Sequence, residues 1–151
     1  MTIDTKEIFG PVNPADIHIV QKSWGHERWC VNTPLYCGKE LFFFNGRSCS
    51  FHYHRIKDET FLVTQGGIQI RWVRPVGKSY EWWRDEELLA KEKLRVLYYS
   101  SHVRLLSVGD VFRVPVGMIH QMTGVGDSKL IEFSTHHEDS DSYRLIFGEP
   151  G

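Results

Sequence analysis

The chain has 151 residues and a formal net charge of -1, from 18 basic and 19 acidic side chains. This length predicts one domain, 1–151, with a sizeable core, and the 41% apolar and 25% charged fractions are typical of soluble globular proteins. The balanced charge argues against a nucleic-acid partner. No apolar run is long enough to span a membrane, and the N-terminus MTIDTKEIFG does not resemble a secretory signal. We therefore expect a cytoplasmic protein with no membrane partner.

Short β-type segments follow one another along most of the chain. A run of short strands separated by turn residues predicts an all-β sandwich or barrel. The continuous apolar run 41–44 predicts a strand that is buried on both faces, and Gly66-Gly67 predicts a hairpin turn. The predicted strands are 17–20, 28–31, 38–45, a histidine-bearing strand within 46–55, a strand after the turn at 55–56, 68–74, 94–100, 103–106, 109–114, 119–123, 129–135 and 143–147.

Residues 75–95 interrupt this pattern. They contain a turn-rich start, a cluster of aromatic side chains and a possible short helix from Asp85 to Arg95. Such an insertion could be a lid, a dimer contact or a packed surface excursion. The three cysteines, Cys30, Cys37 and Cys49, lack CxxC spacing, so we expect reduced thiols, two of them on core strands.

Two histidines in the segment 46–66 suggest a metal site. His52 and His54 alternate on a strand and therefore share one face. Glu59 breaks this parity, but a turn at residues 55–56 would return Glu59 and Lys57 to the same cavity. Two imidazoles on one inward face can bind one metal ion.

A further histidine follows an apolar strand and a Pro/Gly turn in residues 109–120. His120 would complete a set of three imidazoles and one carboxylate with His52, His54 and Glu59. That donor set suits Mn, Fe, Co, Ni or Zn without selecting one of them. Four protein ligands on a six-coordinate metal leave two positions for a substrate.

Both segments resemble the two motifs of the cupin superfamily. The first motif, G-x5-H-x-H-x(3,4)-E-x6-G, and the second, G-x5-P-x-G-x2-H-x3-N, match at every place but one, where Gly124 stands in place of the usual Asn. The matching residues are Gly46, His52, His54, Glu59, Gly66, Gly109, Pro115, Gly117 and His120. The resemblance implies a single cupin, or jelly-roll, barrel with a short helical insertion.

Lys57 adds a second resemblance. The run H-x-H-x-x-K-x-E is similar to the motif of the D-lyxose isomerase family, which are cupin-type aldose–ketose isomerases with a catalytic lysine at this place. A nearby metal ion would disfavour the charged lysine and lower its pKa. The alternative is an exposed turn lysine.

The segment 132–144 resembles the acid-rich segment of the same isomerases. If Glu132 points inward, it is a candidate general base; otherwise it is a barrel-wall residue paired with an arginine. His136 and His137 are interpreted as loop residues. The resemblance implies a metal-dependent isomerase of a small sugar or sugar phosphate, and we expect a homodimer.

Other functions fit the same ligands. An Fe(II)-dependent dioxygenase would use three histidines and one glutamate without needing Lys57. A lyase would need a base such as a tyrosine near the metal, and Tyr53 points away from the histidines by parity. A non-catalytic cupin would only bind a small ligand. Four arginines could bind a substrate phosphate: Arg47, Arg55, Arg71 and Arg113.

Overall fold

The computed structural model describes residues 10–74, 81–84 and 89–146, in which nine β-strands and one α-helix are found. Three short 3₁₀ turns accompany them, at Pro14–Asp16, Trp82–Arg84 and Asp139–Asp141. The strands are β1 His18–Lys22, β2 Gly25–Asn32, β3 Cys37–Phe43, β4 Phe51–Tyr53, β5 Glu59–Val73, β6 His102–Ser107, β7 Val111–Val114, β8 Ile119–Ser134 and β9 Tyr143–Ile146; the helix is α1 Lys91–Ser100.

Two long antiparallel strands, β5 and β8, form the centre of the sheet. They pair from Glu59 opposite Ser134 to Val73 opposite Ile119. The meander β1-β2-β3 joins β8 along its C-terminal half. Strand β4 pairs with the N-terminal end of β8 and with β9, while β6 and β7 pair with β5. The result is one curled sheet, which confirms the predicted all-β barrel with a short helical insertion.

The two long strands correct the predicted strand boundaries. Gly66-Gly67 is not a hairpin turn, because β5 passes through it with two shifts in register against β8. Gly66 has φ +65°, and a Cβ there would lie 2.6 Å from the carbonyl oxygen of Asp127. The glycine therefore permits a bulge and a close approach of β8 rather than a reversal. Strand β8 likewise joins the predicted strands 119–123 and 129–135.

The predicted strand 94–100 is wrong, since these residues belong to helix α1. The apolar residues Leu94, Leu97 and Tyr98 recur at helical spacing and are partly buried, whereas Tyr99 is exposed. A short apolar run does not distinguish strand from helix, and here the 3.6-residue period prevails. The predicted helix start at Asp85 lies outside the described residues.

In the part of the chain that the structure describes, the core consists of two groups of side chains on opposite faces of the sheet. The first includes Leu41 and Phe43 and fills part of the barrel. The run 41–44 is not buried on both faces as predicted, because Phe44 is 49% exposed. The second group surrounds Tyr53 on β4 and includes Trp82, whose Nε1 donates to the carbonyl of Gly117 at 2.6 Å. The described part of the insertion thus packs against the sheet through Trp82 and Trp83, while the lid and the dimer contact stay predictions.

All three cysteines are free thiols. Cys37 on β3 and Cys49 just before β4 are buried, and Cys30 is exposed. Two buried thiols were expected, but Cys49 does not lie within a strand. Across residues 10–74, 81–84 and 89–146, no helix is both long and apolar enough to cross a membrane.

Candidate metal centre

Three histidine side chains converge inside the barrel. His52 lies on β4 and His54 follows directly after its end, and His120 on β8 stands opposite His52 in the strand pairing. One ring nitrogen from each lies within 4.8 Å of the other two. The period-2 geometry of β4 and the antiparallel pairing of β4 with β8 therefore bring together residues that are 68 positions apart, 52 and 120.

Backbone carbonyls orient all three rings. Each Nδ1 lies at hydrogen-bond distance from a carbonyl oxygen, at 2.7 Å from Ser50 for His52, 2.8 Å from Asp141 for His54 and 3.1 Å from Met118 for His120. Because a carbonyl only accepts, each Nδ1 carries a proton, and Nε2 is the ring atom that each histidine turns toward the metal site. Burial, together with the neighbouring imidazoles of His120 and His54, lowers the pKa of His52 well below its usual value, which keeps this ring neutral.

Glu59 completes the group. One of its carboxylate oxygens lies 3.4 Å from Nε2 of His54, and the other lies 3.2 Å from Nε2 of His120. Burial alone would raise the pKa of Glu59, but the positive charge of Lys57, followed by the proximity of His54, lowers it well below the usual value. Glu59 is therefore an anion at neutral pH.

The donor atoms of this site are buried and lack hydrogen-bond partners among the described residues. These atoms are Nε2 of His54, Nε2 of His120 and Oε2 of Glu59. The short separations from Glu59 do not have hydrogen-bond geometry, and unpaired buried polar atoms are costly. A divalent transition-metal ion fits the site, because it would accept all of these lone pairs at once. His52, His54 and His120 form a metal-binding triad.

Asp141 holds the turn that brings Glu59 to the histidines. Its buried carboxylate accepts hydrogen bonds from the backbone N–H groups of Arg55 at 2.9 Å, Ile56 at 3.2 Å and Lys57 at 2.9 Å. Its own carbonyl accepts from Nδ1 of His54. The sequence predicted the turn at 55–56 but not this clamp, since an aspartate 84–86 residues away gives no local signal.

Lys57 and Glu132 meet beside the donor atoms. Nζ of Lys57 lies 2.8 Å from Glu59, 3.3 Å from Oε2 of Glu132 and 3.0 Å from Nδ1 of His137. Both Lys57 and Glu132 are buried, so the exposed-lysine alternative is wrong, and Glu132 pairs with a lysine rather than an arginine. Nε2 of His137 contacts Asp139 at 2.9 Å, so His137 belongs to the site although its sequence context suggested only a loop.

The pKa of Lys57 differs from the expectation. Burial alone would lower it, but Glu59 and then Glu132 outweigh burial, and the pKa of Lys57 is raised. The sequence argument considered only the approach of a cation and not two adjacent carboxylates. Within this cluster Lys57 is an ammonium group.

The site opens into a cavity of about 900 Å³. The three histidines, Lys57, Glu59 and Glu132 all line it. The four arginines considered for phosphate binding do not line it; Arg113 instead pairs with Asp58 at 2.6 Å, and Arg55 lies over the ring of Tyr143. Lys39, which sequence analysis missed, does line it. The alternation with Leu41 and Phe43 on β3 was the signal that could have placed Lys39 inside the barrel.

The structure also accounts for the positions of Tyr53 and Gly124. Tyr53 is 2% exposed and packs against Trp82 and Tyr143, on the face opposite the histidines. Gly124, which departs from the second motif, pairs closely with the chain near Phe44: a Cβ there would lie 2.7 Å from the carbonyl oxygen of Phe44. An asparagine at 124 would therefore clash with the backbone.

No family profile matches the sequence, and no curated protein matches it. Solved structures do match. The capsular polysaccharide assembling protein CapF from Staphylococcus aureus superposes with a TM-score of 0.63 at 21% identity, over 86% of this chain and 34% of CapF. Oxalate decarboxylase from Bacillus subtilis superposes with a TM-score of 0.66 at 14% identity, over 91% of this chain and 33% of that enzyme. KdgF from Halomonas sp. superposes with a TM-score of 0.54 at 20% identity, over 76% of this chain and 81% of KdgF.

These neighbours are cupin proteins. The chain spans about a third of the length of CapF and of oxalate decarboxylase, and identities this low indicate a shared fold and no more. The protein therefore has the cupin fold, as a single β-barrel that carries a three-histidine site for a divalent metal ion.

Proposed function

We propose that the protein is a metal-dependent aldose–ketose isomerase that acts on a small sugar or sugar phosphate, in the manner of the D-lyxose isomerases. The observation that carries this proposal is the contact of Lys57 with both Glu59, at 2.8 Å, and Glu132, at 3.3 Å. It joins a metal-site carboxylate to a second carboxylate through one ammonium group, inside a cavity of about 900 Å³. Isomerisation needs such a pair, because one proton moves between carbons and another between oxygens.

Glu132 is arranged to act as the general base. Its Oε2 accepts from Ser134 Oγ at 2.9 Å and from Lys57 Nζ at 3.3 Å. Its Oε1 has no hydrogen-bond partner among the described residues, although Glu132 lines the cavity. Two donors thus fix the carboxylate through one oxygen and leave the other for a substrate.

Two side chains, Glu132 and Lys57, together carry the two proton transfers of the proposed reaction. A divalent ion held by the three histidines and Glu59 would supply Lewis-acid polarisation of the sugar carbonyl. Glu132 removes the proton from the carbon next to the carbonyl and returns it to the former carbonyl carbon. Lys57 donates to the oxygen on which negative charge develops and passes the hydroxyl proton from one oxygen to the other. Steps of this kind each contribute about 10²–10⁴-fold to the rate.

The first test is turnover by the metal-loaded protein. Protein loaded with Mn(II) in deuterated water should interconvert an aldose and its ketose and incorporate deuterium at the exchanged carbon. The panel should include pentoses, hexoses and their phosphates. If the loaded protein is inert on every member of the panel, the proposal is wrong.

The second test uses the proposed base. Glu132→Gln keeps the shape of the side chain and should lower kcat by about 10²–10⁴-fold with unchanged metal content. Glu40→Gln is the matched control, because Glu40 lies on the neighbouring strand β3 but does not line the cavity. Equal losses in both variants would remove Glu132 from the mechanism.

The Fe(II) dioxygenase is the second candidate, since its ligand set is the one seen here. Lys57→Ala distinguishes the two: it should abolish isomerisation but leave oxygen uptake by an oxygenase mostly intact, with metal content measured in parallel. The lyase alternative is weaker, because the burial of Tyr53 on the opposite face leaves no tyrosine base from β4 at the site.

A further inference from the structure

The cavity contains a second buried lysine, which the proposed reaction does not use. Lys39 on β3 is only 1% exposed. Its Nζ lies 4.1 Å from the centre of the Trp29 ring and 3.5 Å from Oε2 of Glu27. That same Oε2 already accepts a hydrogen bond from Nε1 of Trp29 at 2.9 Å.

The ammonium group of Lys39 has fewer nearby hydrogen-bond acceptors than that of Lys57. Lys57 has three acceptors at 2.8–3.3 Å: Glu59, Glu132 and His137. Among the described residues, Lys39 has one long contact to a shared oxygen and the face of an indole. An ammonium group has three N–H donors, and a buried one with unused donors is destabilising unless something else binds it.

The unused N–H donors of Lys39 lie beside Glu132, the proposed general base. Lys39 stands opposite Glu132 in the pairing of β3 with β8, and opposed side chains in a sheet lie about 5 Å apart at their Cβ atoms. His137 provides a second link, because its ring contacts both Lys57 and the edge of Trp29. Burial lowers the pKa of His137, and the charges of Lys39 and Lys57 add to this effect, so His137 adds no positive charge.

A divalent metal ion at the site would make the cavity favour an anionic substrate. Among the described residues that line the cavity, four are positive and four are negative, so their charges cancel, and a divalent metal ion would bring the sum to +2. The low-dielectric walls of the cavity strengthen the electric field of this net positive charge. The charged residues are Lys22, Lys39, Lys57, Arg144, Glu27, Glu59, Glu132 and Asp139.

We propose that Lys39 is a specificity-determining residue that binds an anionic substituent, a phosphate or a carboxylate, on the sugar. The incoming anion accepts the unused N–H groups of Lys39 while the carbonyl end of the sugar lies at the metal site. This inference rests on the proposed function for the identity of the sugar, but the binding of the anion does not require turnover.

The experiment is a calorimetric titration of the Mn(II)-loaded protein with inorganic phosphate, with acetate and with uncharged xylose. Lys39→Met retains the length of the side chain and removes the charge. We expect it to weaken anion binding about tenfold or more and to leave xylose binding unchanged. The matched control is Lys129→Met on β8, because Lys129 does not line the cavity.

A second variant should change the anion affinity in the opposite direction. Glu27→Gln removes the carboxylate that competes for Lys39 and should tighten anion binding, which a purely structural role for Lys39 would not do. If Lys39→Met fails to fold, because Glu27 is then left unpaired, the double variant Lys39→Met/Glu27→Gln removes both charges and should lose the anion.

The outcomes separate the two proposals. A preference for phosphate identifies a sugar phosphate, and a preference for acetate identifies a sugar acid. Anion affinity that is equal in the wild type, Lys39→Met and Lys129→Met would mean that the metal alone holds the anion, and this or a complete lack of binding would overturn the inference. Anion binding through Lys39 without isomerisation would reject the proposed reaction and leave the anion site standing.

Discussion

Metal binding should raise the free energy of unfolding of this protein. Three donor atoms, on His54, His120 and Glu59, are buried without hydrogen-bond partners in the described part of the chain. Each unsatisfied buried group costs about 1–3 kcal/mol, so metal binding removes a substantial penalty. At a free metal concentration of 100 Kd, linkage gives about 2.7 kcal/mol of added stability. For a chain of this size, that raises Tm by about 5–11 °C.

Scanning calorimetry of chelator-treated protein, retitrated with Mn, Fe, Co, Ni or Zn, measures this shift directly. His52→Gln removes a ligand from a half-buried position, so it should disturb packing least while it reduces the metal-induced rise in Tm. His102→Gln is the control, since His102 is exposed and lies outside the cavity. The reasoning is refuted if the metal raises the Tm of His52→Gln as much as that of the wild type, or if none of these metals binds.

Three other properties of the chain can be tested without a substrate. Asp141→Ala should cost about 1–3 kcal/mol of stability and weaken metal affinity about 10–100-fold, as measured by denaturation and metal titration, because it removes the carboxylate that holds the turn before Glu59. Burial would raise the pKa of Glu27, but the adjacent ammonium and indole N–H lower it below 4.5. Its stabilisation is therefore complete above about pH 4.5 and declines as pH falls through the lower folded-state pKa, so the stability difference between wild type and Glu27→Gln should shrink in acid. A disulfide reagent should modify only Cys30 in the folded protein, since burial raises the pKa of Cys37 to about 11 and that of Cys49 to about 12; rapid modification of three thiols under native conditions would contradict this.

The sequence placed the three histidines of the metal-binding triad, and part of that prediction follows local rules. His52 and His54 share a face by strand parity, and the turn at 55–56 restores Glu59 to that face. His120 was a candidate ligand because it follows an apolar strand and a Pro/Gly turn, but its pairing with His52 was not predicted, because it depends on how distant strands meet.

What the sequence could not provide depends on contacts between distant segments. Gly66 looked like a turn residue because glycine permits both a reversal and a close approach of strands, and only the neighbouring strand β8 decides between them. The clamp by Asp141 and the partners of Lys57 arise in the same way, from residues about 75–86 positions apart. Lys39 is different, since its parity was visible but a lysine on a mostly apolar strand is usually taken to point outward.

The charge of Lys57 links the metal site to the proposed base. In the absence of metal, Lys57 neutralises one of the two carboxylates, Glu59 and Glu132, that lie within 3.3 Å of it. A divalent ion at Glu59 would draw that carboxylate toward itself and shift the hydrogen bonding of the ammonium toward Glu132 and the substrate. In the proposed reaction, the same ammonium would hold the base in place and face the oxygens of the sugar. A neutral side chain at this position could not do both, which is the physical reason to expect a lysine between these two carboxylates.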